Sequence, residues 1–316
     1  MKFGMTCIKM TNPIDHLAQE IAESCLRDIC CDGAHSAIAH SVCAELKSTL
    51  PEVIREAILE EQRKLFFEAL YKALEPHEKR FQEMVRGIWA EEERIIVANL
   101  KKLKKSHMRK DAVDQVMYPA KEMEKKLAEE ARLLLIAILT EFGQEALDDL
   151  GISIAFDVTN PYVAEWIKSY PYYFAQELEK NSVEKLRKLL TEAMEQGKTI
   201  PEMIYDLRQK FTDWDKFRAE RVARYEANHA SNAGNEMAYK MGGIKRKEWH
   251  ANPGCCEFCK ALDGTIISID KNFYDLGDTI EMEVEGKKQV MNITYQDVRH
   301  PPLHGNGRCT LLPVVE

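Results

Sequence analysis

Cys256 and Cys259 form a Cys-x-x-Cys pair, and His304 and Cys309 follow it after a polar stretch. Two thiolates on one turn, completed by an imidazole and a third thiolate, make the tetrahedral S₃N donor set of a structural zinc site. The four candidate metal ligands are therefore Cys256, Cys259, His304 and Cys309. The competing reading of the same letters is apolar: free cysteines pack as small buried hydrophobes, and His304 is then a loop residue.

Three further groupings could do chemistry. Arg218, Arg221 and Arg224 recur every three residues and are followed by Glu226, Asn228, His229 and Asn232. As a catalytic set, Arg224 would bind an anion while Glu226 and His229 move protons. As a structural set, the same groups hold their helix against neighbouring loops, and no nucleophile and base stand at a recognisable spacing. Glu281-Met-Glu283-Val-Glu285 has the Glu-x-Glu spacing of ADP-ribosyltransferases, yet its alternation with Ile280, Met282 and Val284 is what any half-buried strand requires. No glycine-rich phosphate loop or triad spacing accompanies it. Near the N-terminus, Cys25, Cys30, Cys31, His35, His40 and Cys43 admit either a second metal site or cysteines scattered on the apolar face of a helix.

These residues need elements to position them. A chain of 316 residues, 45% of them hydrophobic, has the length of about two domains and enough apolar side chains for a core. Its longest apolar run, Leu133 to Leu139, is bracketed by Arg132 and Glu141, far short of the roughly 20 residues a membrane-spanning helix needs. The N-terminus lacks the basic and apolar stretches of a secretory leader, so the nine cysteines are expected in a reducing compartment. A net charge of −8 argues against uniform coating of nucleic acid and confines any such contact to local basic stretches. Those are the run from Lys101 to Lys110, with six positive charges and no acid, and Lys245-Arg246-Lys247; both also read as solvated faces.

The fold class expected is α+β, mainly α. Residues 1–50 form a Cys/His-containing segment, 51–150 an elongated helical hairpin or bundle, and 151–316 a mixed helical domain ending in a small β-hairpin module from about 245. Pro51 and Pro119 suit first helical turns and Pro76 marks a break or kink, giving about three helices with Phe66, Phe67, Phe81, Trp89 and Phe142 as core. After Gly151 the run Ile152 to Phe156 is β-friendly, and Asn160-Pro161 caps a new helix. Asn181 with Glu184 and Thr199 with Glu202 repeat the cap-plus-carboxylate spacing, and Gly197 is a stop signal. A helix follows over 215–241, then strands over 244–249 and 265–269, and a hairpin over 279–293 turning near Glu285-Gly286.

Several of these residues fall into one ordered pattern. Phe156-Asp-Val-Thr-Asn160-Pro161 to Trp166-Ile167, Arg221-Val-Ala-Arg224-Tyr225-Glu226-Ala-Asn228, Asn232-Ala233-Gly234 and Gly243 to Trp249 precede the Cys-x-x-Cys pair; Leu262-Asp263-Gly264 and Pro301-Pro302-Leu303-His304 to Arg308-Cys309-Thr310 follow it. In that order, over roughly residues 150 to 313, the chain resembles the Mu F-like phage head morphogenesis proteins. It departs from them where relatives read His-Pro-Asn-Cys-Arg-Cys: Gly305 replaces the proline and Gly307 a cysteine, leaving Cys255, His250 or His300 as stand-ins for the lost thiolate. Tyr225 also replaces the family's threonine.

The resemblance implies a minor capsid protein held by the portal inside the procapsid or virion, made in the host cytoplasm and acting in assembly, DNA packaging or genome delivery. Its partners would be the portal, scaffold or major capsid protein, and double-stranded DNA through the basic stretches, with no membrane. Because some family members are joined to toxin domains, the alternative class is an enzymatic module, ADP-ribosyltransferase-like or a metal-dependent nuclease. A catalytic zinc would need an open coordination position, which four protein ligands would fill.

Overall fold

The computed structural model describes residues 52–103 and 112–315. The Cys/His cluster between Cys25 and Cys43, and most of the basic run ending at Lys110, lie outside the described residues. The chain divides into two compact units, Met1–Tyr71 and Lys72–Glu316.

Helix α1 spans Glu52–Lys102 and runs unbroken through Pro76. Pro76 is exposed, and the helix bridges the one amide it lacks. Phe67 is buried, whereas Phe66 is 41% exposed and is not part of a core. A single turn, α2 (Val113–Val116), leads to α3 (Ala120–Asp149), for which Pro119 is the N-cap residue. Phe81, Trp89 and Phe142 are buried in the second unit, Phe81 against Phe174 and Trp89 against Trp214.

Residues 152–156, expected to be extended, form no strand. Two of their backbone groups are taken by one side chain: Gln144 Nε2 donates to the Ile154 carbonyl at 3.2 Å, and its oxygen accepts the Phe156 amide at 2.7 Å. Phe156 then packs into space left by Gly143. Asn160 caps α4 (Pro161–Glu195) by accepting the Tyr162 amide, with Pro161 at the first position. The helix does not restart at Asn181, whose amide donates to the Glu177 carbonyl one turn back. It also passes through the buried Pro171, because burying Tyr170, Phe174, Leu178 and Leu186 along one stripe outweighs one missing backbone hydrogen bond.

Gly197 ends this helix, and a full capping box between Thr199 and Glu202 starts α5 (Ile200–Asp213). A π-helical turn, Trp214–Arg218, joins α5 to α6 (Ala219–Met241). Helices α3 and α6 cross so closely that a Cβ on Gly234 would sit 2.5 Å from the Leu139 carbonyl oxygen. Around the crossing, Leu139, Leu147, Phe156, Val163, Ala233, Tyr239 and Leu311 form a buried core. In the helical part, Arg218 is buried over the rings of Trp89 and Trp214 and donates to Ser182 Oγ and the Leu178 carbonyl. Nearby, burial and the adjoining Glu179 push the Glu92 carboxyl up to about 10.

The C-terminal part holds strand β1 (Arg246–His250), helix α7 (Glu257–Leu262), and strands β2 (Ile266–Ser268), β3 (Thr279–Val284), β4 (Lys287–Asn292) and β5 (Thr310–Val314). β1 is central in an antiparallel sheet of order β2-β1-β5, with Trp249 opposite Leu311. β3 and β4 form a separate hairpin whose two-residue turn places Glu285 at φ 50° and Gly286 at φ 73°, the left-handed pair a type I′ turn needs. Glu281 and Glu283 lie on the hairpin's open face, Glu281 2.8 Å from Lys288. Among the described residues no helix is long and apolar enough to cross a membrane.

Candidate metal centre

Three of the four expected ligands meet at one point. Cys256 is the N-cap residue of α7 and Cys259 lies within its first turn, so the Cys-x-x-Cys spacing turns both sulfurs the same way. His304 arrives on the loop after the Pro301-Pro302 cis peptide, with Nε2 3.1 Å from Cys256 Sγ and 3.5 Å from Cys259 Sγ. The ligand atoms of these three residues all lie within 4.8 Å of one another. Cys309 is fully buried beside Cys259 but falls outside that set of three. Trp249, Phe258, Leu262, Ile293, Val298 and Leu303 supply the apolar floor.

The electrostatics suit a soft cation. Burial lowers the His304 pKa, keeping the imidazole neutral with a lone pair to give. A hydrogen bond from Cys259 draws the Cys309 thiol down to about 7, helped by the Asn252 amide, while that bond and burial push Cys259 up. Of the possible stand-ins for the missing thiolate, Cys255 lies closest: its thiol borders Cys309 and burial raises it to about 11. His300 is elsewhere, packed on His229 with Nδ1 2.8 Å from the Pro301 carbonyl. His250 sits on β1, in register with Thr310. The donor set of two sulfurs and one nitrogen, with a third sulfur adjoining, fits a metal ion.

Helix α6 fixes the ligand loop. Asn228 Nδ2 donates to the carbonyls of Gly307 and Cys309 at 3.2 and 3.1 Å. Asn232 Oδ1 accepts the Leu311 amide and the Thr310 hydroxyl, and Tyr239 reaches the Leu311 carbonyl. Arg224 binds Asn306 at 3.3 Å and is paired with Glu220. Glu226 and His229 do not face each other as acid and base. Tyr170 donates to Glu226 at 2.8 Å, and the His229 ring stacks on Tyr170 and meets Gln296 through Nε2. Burial pushes Glu226 up to about 8 and His229 down.

Residues 184–312, which contain α6, the Cys/His cluster and the first residues of the strand α6 clasps, match the family model described as Phage Mu protein F like protein. Over that segment the chain is similar to the Mu F-like family. The uncharacterized protein YqbB of Bacillus subtilis (strain 168) is similar too, 23% identical over 207 residues that cover 64% of this chain and 65% of YqbB. No solved structure matches. In this Mu F-like segment Gly307 stands where its lack of a side chain is used: a Cβ there would lie 2.8 Å from Pro302 Cβ, so the loop seats itself against the proline. The asparagines of α6 were visible in the sequence as polar letters, but their partners lie 77 to 81 residues away and carry no local signal.

Proposed function

We propose that this Mu F-like chain is a minor head protein that docks on the portal from inside the procapsid and acts in head assembly, DNA packaging or genome delivery. The observation that carries the reading is the family match over residues 184–312, which encloses the whole Cys/His cluster and the helix that clasps it. Cys256, Cys259 and His304 would hold a zinc ion, with Cys309 as the fourth ligand. The ion's role is structural, since three short strands, a hairpin and a single turn of ligand helix bury little by themselves and metal binding supplies folding free energy on the order of 10 kcal/mol. Helices α3 to α6, with the part of α1 that packs on them through Phe81 and Trp89, then form the frame on which that module is mounted.

Quantitative mass spectrometry of purified procapsids and mature heads tests the assignment. The chain should be present in a small, fixed ratio to the portal in both particles. Its absence from both would remove the head-protein reading.

A further inference from the structure

We infer that the cleft between α4, the first turns of α6 and the segment from Met291 to Gly305 is a binding site for a phosphate-type anion, with Lys185, Arg218 and Arg221 as its cationic wall. The cavity has a volume of about 420 Å³, within the range of small-molecule sites. It borders the metal centre, because His304 and Gly305 form part of its rim.

The charge arrangement is the argument. Among the described residues, neither Lys185 nor Arg221 has an ion-pair partner, although acidic side chains are common on both helices. Burial, and then the neighbouring charges of Arg218, Lys210 and Arg221, hold the Lys185 pKa below the usual lysine range. Arg218 has the buried Glu92 and Glu179 beside it, but Lys185 and Arg221 have no such partner, and an anion between them would recover the cost of bringing them together. Arg218 cannot swing away to relieve the repulsion, being fixed by Ser182, the Leu178 carbonyl and two indole rings. The π-helical turn ending at Arg218 sets the phase of α6, and such turns are common at functional sites. The Arg221 stem rests on Gly305, where a Cβ would come within 3.2 Å of its Cδ.

The acids that face the cavity do not cancel this wall. Glu177 is 3.8 Å from Lys180, Asp297 is turned to the Leu276 amide, and burial pushes Glu226 up to about 8, toward its neutral form. Tyr225 accepts from Gln296 at 3.4 Å and keeps its own hydroxyl proton to donate. One fixed and two exposed cations with a hydroxyl donor beside them match a tetrahedral oxyanion. The chemistry is common to free phosphate and to a nucleic-acid backbone.

Titration calorimetry of the full chain with inorganic phosphate, and fluorescence anisotropy with a short labelled DNA duplex, form the two arms. Lys185→Ala/Arg221→Ala changes two exposed side chains and should leave the thermal melt unchanged while weakening binding by on the order of tenfold or more. Arg221→Lys, which keeps the charge, should retain most of the binding, and Lys188→Ala on the outer face of α4 should retain all of it. Loss in both arms assigns the site to a phosphodiester backbone; loss with phosphate and no duplex binding assigns it to a free phosphate. The inference is overturned if neither probe binds the wild-type chain, or if the double variant binds as tightly as wild type.

Discussion

The side-chain oxygen of Asn232 accepts the backbone N–H of Leu311 at 2.7 Å, tying helix α6 to strand β5 across 79 residues of sequence. Both residues are buried, so each group lost from this clasp leaves a partner without water. Asn232→Ala orphans the Leu311 amide and the Thr310 hydroxyl together, and a loss of about 2–4 kcal/mol is expected. Urea unfolding should show the drop, and hydrogen exchange should show β5 opening first.

Cys256→Ser or Cys259→Ser should loosen the module from about residue 245 onward while α3 and α6 stay folded around their own core. A chelator should reproduce the effect on the wild-type chain and add nothing to either variant. Limited proteolysis followed by intact mass reads both; cleavage sites identical to those of the wild type would count against a metal staple.

Glu226 gives a pH dependence with a defined sign. Its pKa rises from 4.5 to about 8 on folding through burial, so between those values the folded state holds a proton that the unfolded state has released. Stability therefore falls as pH rises through this window, by roughly 1.4 kcal/mol per pH unit from this group. Glu226→Gln keeps an acceptor for Tyr170 and removes the titration. The variant's advantage over wild type should grow from pH 4.5 to 8 and then level off; a constant difference across that range would contradict the assignment.

Two glycines separate backbone packing from helix propensity. Gly234→Ala forces a methyl group against the Leu139 carbonyl and should cost about 1–3 kcal/mol or more. Gly87→Ala, within α1 and with nothing inside 4 Å of the new Cβ, should stabilise by roughly 0.5–1 kcal/mol. Thermal melts of the two variants should move in opposite directions.

What could be read directly from the sequence is what short-range physics decides. The Thr199–Glu202 capping box, the Asn160-Pro161 start, the Gly197 stop and the Glu285-Gly286 turn all sit where their letters place them, since each satisfies its own backbone within a few residues. The failures are tertiary. Asn181 offers the letters of a cap but lies inside a helix whose apolar stripe continues past it, and Pro171 is carried through for the same reason. Residues 152–156 have strand propensity and no strand beside them, so the Gln144 side chain takes the Ile154 carbonyl and the Phe156 amide instead. At the site, the Cys256-Cys259 pair is local spacing, and His304 joins it from 45 residues away through the fold. The Asn228 and Asn232 clasp has no local signature, because its partners are remote in sequence.

Native mass spectrometry of the chain co-expressed with the portal protein from the same genome, purified through a tag on the portal, bears most directly on the whole account. A portal assembly carrying this chain with one zinc ion per copy is the predicted result. A portal that elutes alone, beside a free chain whose mass contains no metal, would contradict it.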